Sequence, residues 1–154
     1  MSETTHFQLN GRLVAFNGPP STPLVAVLRD HCGDASVKIS CSRAVCGSCT
    51  VLIDGTPGAR CALFVYHADG RAVTTAQGLK TTHPVAEAFA DHAALQCGYC
   101  TSGMIMLATA LLQTIPDPDR ETVVQWMSSG VCRCTGYAMI IDAVMDAARR
   151  MRDA

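Results

Sequence analysis

Eight of the nine cysteines in this 154-residue chain fall into two sets of four: Cys41, Cys46, Cys49 and Cys61, then Cys97, Cys100, Cys132 and Cys134. Four thiolates make a complete ligand set for a metal centre, so any fold this chain adopts must carry the distant member of each set back to the others. The first set has the spacing C-x4-C-x2-C with a remote fourth cysteine, the plant-type pattern for a [2Fe-2S] cluster. One loop then wraps a two-iron rhomb with three thiolates, and Cys61 closes the site from another segment. Thiolates also suit zinc. Structural zinc sites, however, use ligand pairs two to four residues apart, whereas positions 41–49 supply three ligands within nine residues.

The second set, C-x2-C followed at a distance by C-x-C, is ambiguous by spacing alone. Cys97 and Cys100 precede Met104, Leu107, Ala108, Leu111, Leu112 and Ile115 at helical intervals. Cys132 and Cys134 precede Tyr137, Ile140, Ile141, Val144, Met145 and Ala148 in the same way. Both pairs thus sit at helix N-termini, where free N–H groups and the positive dipole end favour an anionic site such as a thiolate-bound cluster. Two helices presenting their N-termini from one side, with apolar stripes packed together below, would hold it. A structural zinc holding the same two helices stays open on these grounds.

The remaining pattern divides the chain. Phe7 and Leu9, then Leu13 and Ala15, alternate around Asn10-Gly11, a two-residue hairpin signal. Thr22-Pro23 opens a short helix with Leu24, Val27 and Leu28 on one face and Pro23 in the first helical position. Strands are expected over 50–53, near 61–66 and over 71–75, completing a mixed sheet of the β-grasp kind. After about Ala76 only helical periodicity remains. Helices are expected from Pro84, from about Thr101 to the Ile115-Pro116 stop, around Val123 to Met127, and from Ala138 to Arg152. The expected fold class is α+β: a β-grasp plant-type [2Fe-2S] ferredoxin domain over residues 1–76, then an all-α four-helix domain over 77–154 that carries the second cysteine set, with residues 77–82 as linker.

A net charge of −1 offers no electrostatic case for nucleic acid or an anionic membrane surface. No apolar run is long enough for a membrane span, and the first ten residues lack the basic start and apolar core of a signal peptide. Cysteine richness without a secretory signal points to metal or redox chemistry in the cytoplasm. Hydrophobic residues at 49% against charged residues at 16% suit a subunit buried among partners.

The stretches LRDHCGDASVKISCSRAVCGSCTVLIDG, LQCGYCTSGMIMLATALL and GVCRCTGYAMIIDAV resemble the iron-sulfur subunit of molybdenum hydroxylases, the xanthine oxidase and aldehyde oxidoreductase family. The resemblance spans nearly the whole chain. It implies two [2Fe-2S] clusters ligated by the eight cysteines, which relay electrons from molybdopterin in a large partner subunit to FAD in a medium one, within a dimer of heterotrimers. Substrate oxidation at molybdenum releases two electrons and each cluster passes one at a time, so two clusters in series form a wire. The helical-domain cluster is expected nearer the pterin and the β-grasp cluster nearer the flavin. The resemblance also implies that Gln96 hydrogen-bonds the pterin and that Cys134 approaches it. Without its QCGYC context, Gln96 reads as a surface glutamine.

No nucleotide loop, nucleophile elbow or paired catalytic carboxylates can be placed, so the subunit is not expected to be catalytic alone. The substrate, whether an aldehyde, a purine, an N-heteroaromatic or carbon monoxide, is not encoded here. Two other classes stay in view, a free-standing ferredoxin-like electron carrier and a non-redox structural zinc module. Asp+Glu 13 against Lys+Arg 12 lacks the acidic bias of the former.

Smaller expectations complete the reading. Arg133 is weighed as an offset to cluster charge or a solvated arginine, and Gly47, Gly98 and Gly136 as close backbone approaches to sulfur. Cys32 is read as a small buried hydrophobe, and the histidines at 6, 31, 67, 83 and 92 as non-ligands. Ser40 and Ala44 stand where the family has glycines, and Ser102 where a proline is usual. A left-handed backbone at position 44 would cost alanine on the order of 1 kcal/mol.

Overall fold

The computed structural model describes residues 4–153; positions 1–3 and 154, which the two expected domain ranges include, lie outside the described residues. Strands β1 (Thr4–Leu9) and β2 (Arg12–Asn17) form the expected hairpin. Both turn residues are left-handed, Asn10 at φ 52° and Gly11 at φ 81°, as a type I′ turn requires. The inward face of β2 differs from expectation. Thr5 pairs with Phe16 and Phe7 with Val14, so Val14 and Phe16 share the core-facing side, while Leu13 is 72% exposed. Directly opposed residues of an antiparallel pair lie on one face, and the two-residue turn therefore sets β2's phase independently of its apolar alternation.

Helix α1 (Leu24–Ala26) continues as a wider π turn over Val27–His31 and buries Leu24, Val25, Val27 and Leu28. Pro23 stands one position ahead of the helix, as its cap, rather than in it. The chain then wraps through residues 32–49 without regular structure and returns as β3 (Thr50–Ile53), β4 (Thr56–Ala59) and β5 (Ala72–Thr74). The mixed sheet has the order β2-β1-β5-β3-β4, with β1 and β5 parallel.

The strand expected near 61–66 is absent. It is β4 that pairs with β3, and the chain leaves the sheet at Arg60 in 3-10 turns, Arg60–Ala62 and Val65–Ala68. That turn brings Cys61 back to Cys49, which a continuing strand would carry away. Cys32 is half-buried rather than buried, packed at the margin of the sheet core.

Helices α2 (Pro84–Asp91), α3 (Thr101–Thr114), α4 (Arg120–Met127) and α5 (Ala138–Arg152) build the second half. Local chemistry sets their ends. His83 caps α2 by accepting from the Val85 amide at 3.3 Å, with Pro84 at N1; Asp119 caps α4 by accepting from Thr122 at 2.7 Å. Phe89, Met104, Leu111, Met127 and Ile140 fill one core among them.

The apolar stripes of α3 and α5 share that one core, as expected, though each helix also packs elsewhere. The broadest contact of α5 is with α2, and α3 lies against β3 of the sheet. Leu52 of β3 meets Met106 and Ala110 of α3 in a separate small core that joins the two halves. Residues 103–112 of α3 are therefore buried almost without a break, as a helix sandwiched between two layers must be.

Candidate metal centres

The first cysteine set occupies the irregular 41–49 loop and the turn at 61. Sulfur–backbone bonds hold it open. Cys41 Sγ accepts from the amides of Arg43, Val45 and Cys46, each at 3.4 Å. Cys61 Sγ accepts from Ala44 at 3.2 Å, and Cys49 Sγ from the Cys61 amide at 3.3 Å. Ser42 at φ 53° and Ala44 at φ 57° take left-handed conformations to point these amides inward. Ala44 thus sits in the backbone region that favours glycine, whereas Ser40 is not among the left-handed residues. The amides of Arg43, Cys46 and Val45 lower the Cys41 thiol to about 6.

Cys49 is buried, and burial pushes its thiol up to about 11. A buried thiolate needs a cation, and a bound metal deprotonates a coordinating thiol outright. The sulfurs group two by two: Cys41 interacts with Cys46, and Cys49 with Cys61.

The second set repeats this arrangement. Cys97 and Cys134 are exposed, with their Sγ atoms 3.7 Å apart, while Cys100 and Cys132 form the inner pair. A disulfide would hold sulfurs about 2.05 Å apart. A tetrahedral metal with bonds of about 2.3 Å sets its sulfurs roughly 3.7 Å apart. Burial raises the Cys100 thiol to about 12. Cys132 goes the other way: burial would raise it, but the Thr135 hydroxyl at 3.2 Å and amide at 3.5 Å outweigh that and hold it below its ordinary value.

Tyr137 pins the loop. Its hydroxyl accepts from the Cys132 amide at 2.9 Å and donates to Gly130 O at 3.0 Å, and its own backbone is left-handed at φ 69°. Cys100 caps α3 directly, but Cys132 and Cys134 precede α5 by this extra turn.

Among the described residues, no three His, Cys, Asp or Glu side chains converge on one point to hold a single ion. A two-iron rhomb takes two thiolate sulfurs on each metal. The donor sets, thiolate-only and paired, fit [2Fe-2S] clusters.

The two sites adjoin. A cavity of about 200 Å³ is lined by all four cysteines of the second set together with Cys46 and Ser48 of the first loop. Val131 N donates to Cys46 O at 2.9 Å, tying the cluster loops together. Gly47 fits beneath this strap because a Cβ there would meet Gly130 Cα at 3.1 Å and Ser129 O at 3.2 Å. Ser102 donates to Ser36 O at 2.6 Å, a link between the halves that proline could not make; Tyr99 reaches Ile39 O across the same seam.

Gln96 is exposed beside Cys97, and its Nε2 donates to Cys134 O at 3.0 Å. Arg133 is exposed between Cys132 and Cys134. His92 meets Asp146 at 3.1 Å on the far side of the helices, and none of the histidines joins a cysteine set. Sequence reasoning missed Thr135, Tyr137 and Ser48 as parts of the sites. Thr135 and Tyr137 were legible in principle, since both lie within the CRCTGY string.

Comparison with known proteins agrees with this geometry. Residues 7–76 match the family described as 2Fe-2S iron-sulfur cluster binding domain, and residues 75–145 the [2Fe-2S] binding domain. The chain is 41% identical to one of the nicotinate dehydrogenase subunits of Pseudomonas putida, covering 99% of each. Among solved structures, quinoline 2-oxidoreductase from Pseudomonas putida 86 superposes with a TM-score of 0.93 at 38% identity, covering 99% of this chain and 98% of that one. The aldehyde oxidoreductase of Desulfovibrio desulfuricans gives 0.94 at 39% identity over 98% of this chain, which spans only 17% of that larger protein. The chain belongs to the iron-sulfur subunits of the molybdenum hydroxylases, the xanthine oxidase and aldehyde oxidoreductase family, and is part of an oxidoreductase. Among the described residues, no helix is long and apolar enough to cross a membrane.

Proposed function

We propose that this chain carries electrons between two partner subunits of a molybdenum hydroxylase, from a large molybdopterin-binding subunit to a medium FAD-binding one, in a cytoplasmic dimer of heterotrimers. In this reading Cys41, Cys46, Cys49 and Cys61 ligate one [2Fe-2S] cluster within a β-grasp domain of residues 1–76. Cys97, Cys100, Cys132 and Cys134 ligate the other within a four-helix domain of residues 77–154. The two family matches, which meet at residues 75–76, support that division. When bound, each cluster takes up and returns a single electron at a potential tuned by hydrogen bonds to its sulfurs.

What supports the reading most is the cavity that Cys46 shares with all four cysteines of the second set, because tandem carriers must lie close. Cys97 and Cys134 present the outer sulfur pair to a partner, and Gln96, bonded to Cys134 O, keeps its amide in the exposed position from which it would meet a pterin edge. In this reading the chain works only with its partners and is not catalytic alone. Relatives of comparable similarity bear the names of nicotinate, quinoline and aldehyde enzymes, which supports placing substrate choice in the large subunit.

The test is EPR of the dithionite-reduced complex, with iron, zinc and acid-labile sulfide assayed on the same sample. Two distinct [2Fe-2S] signals, and co-purification of molybdenum- and FAD-containing partners, are expected. Zinc without a signal would refute the electron-carrier function.

A further inference from the structure

Arg60 is 8% exposed, and its guanidinium folds back along β4, where a Cβ on Gly58 would come within 2.8 Å of Nη1. Nη2 donates to Thr56 O at 3.0 Å. Among the described residues that is the guanidinium's only hydrogen bond, and Nε is buried without a partner. Among the same residues Arg60 forms no ion pair with a carboxylate. A cation buried to this degree is costly unless an anion pairs with it.

Arg60 lines a cavity of about 470 Å³ beside the β3–β4 hairpin, together with Asp54, His67 and Arg71. Asp54 is the only acidic side chain among the lining residues, and it is already engaged. Its Oδ1 accepts from the Ala72 amide at 3.0 Å, and its Oδ2 lies 3.9 Å from Arg71 Nε. Two guanidiniums against one engaged carboxylate leave the cavity short of negative charge.

An aromatic strip runs out from the same place. The His67 ring stacks on Tyr66 with centroids 4.0 Å apart, Tyr66 lies 6.1 Å from Phe64, and both Phe64 and Tyr66 are exposed. A small anion entering the cavity would satisfy Arg60 and leave these rings in water, whereas a protein surface covers both. Arginine, tyrosine and phenylalanine are the residues enriched where interfaces are most deeply buried.

We propose that this cavity receives an acidic side chain of the FAD-binding subunit, whose carboxylate pairs with Arg60 and Arg71 while the surface around it covers Phe64 and Tyr66. The choice of partner rests on the function proposed above. The cavity belongs to the sheet half, which carries the first cysteine set, and in that function this half delivers electrons to the flavin.

The experiment measures the affinity of the FAD-binding subunit for the rest of the purified complex, by analytical gel filtration with FAD and molybdenum assayed in each fraction. It compares the parent with Arg60→Gln and Arg71→Glu. Glutamine removes the charge while keeping a donor for Thr56 O, and Arg71→Glu sets a like charge against the incoming carboxylate from an exposed position. Two intact EPR signals report that a variant is folded. Each substitution is expected to weaken binding of the FAD-binding subunit about tenfold or more, because removing one member of a buried pair strands the other, and to leave retention of molybdenum unchanged. Unchanged affinity in either folded variant would overturn the proposal, and should Arg60→Gln fail to load its clusters, Arg71→Glu decides alone. Loss of molybdenum in place of FAD would overturn it too. So would a rise in the melting temperature of the intact parent complex on adding inorganic phosphate that Arg60→Gln abolishes, since the cavity would then take a free anion. If no FAD-binding subunit accompanied the parent itself, the proposed function would fall and this inference with it.

Discussion

Cys97 Sγ and Cys134 Sγ stand 3.7 Å apart although 37 positions separate them in the chain. The distance is far too long for a disulfide and matches one edge of a metal tetrahedron. The separation is one at which two thiolates can share a metal, and the exposure of both residues places this edge of the site at the protein surface.

Replacing Cys97 by serine is expected to remove one EPR signal and about half of the iron, leaving the other signal in place. Serine is a harder ligand than a thiolate and suits iron-sulfur sites poorly. Iron and sulfide analysis beside EPR of the purified variant checks this. Loss of both signals would mean that the two sites do not load independently.

Gly103 of α3 faces the first cluster loop so closely that a Cβ would lie 2.3 Å from Gly47 O. Backbone cannot yield as a flexible side chain can. Gly103→Ala is therefore expected to cost about 1–3 kcal/mol by overpacking. In a chain of this size that lowers the melting temperature by roughly 2–4 °C per kcal/mol, readable by differential scanning calorimetry of the loaded protein.

Ala44 holds a left-handed φ of 57° so that its amide can reach Cys61 Sγ. Glycine adopts that conformation without steric cost. Ala44→Gly should recover on the order of 1 kcal/mol, less part of the unfolded-chain entropy that glycine adds. Slower loss of visible absorbance on heating would show it; faster loss would mean that the methyl group packs usefully.

Asp146 of α5 gathers His92 at 3.1 Å, Arg149 at 2.9 Å and Arg150 at 2.6 Å, and Arg150 continues to Asp91 at 2.7 Å, tying α5 to the end of α2. Burial would raise the Asp146 carboxyl, but hydrogen bonds from Arg150 and His92 outweigh it and hold it below its ordinary value. A folded-state pKa below the unfolded one, about 3.9, gives stability that is complete above the unfolded value and fades as pH falls through the folded one. The melting temperature of Asp146→Asn should therefore lie below the parent's at pH 6, with the gap closing as pH drops below 4. A gap independent of pH would show that the carboxylate's charge contributes nothing.

The helices were the most legible part of the fold. Ala138 to Arg152 could be bounded from its apolar period, and Ile115-Pro116 marks the end of α3, because both signals are local. The sheet was less so. The phase of β2 depends on which residues oppose β1, and the strand expected near 61–66 gives way to a turn because Cys61 must come back to Cys49. Each is a long-range condition that no short window contains.

By itself, the sequence determined the two cysteine sets, the hairpin turn at Asn10-Gly11 and the order of a sheet half before a helical half, since ligand type, turn chemistry and periodicity are properties of neighbouring residues. Only the tertiary structure decided that α3 is wedged between the sheet and the other helices, that Gly103 seats on Gly47, and that Cys46 borders the second site. Those relationships arise where separate layers meet, and distance in space there is unrelated to distance along the chain.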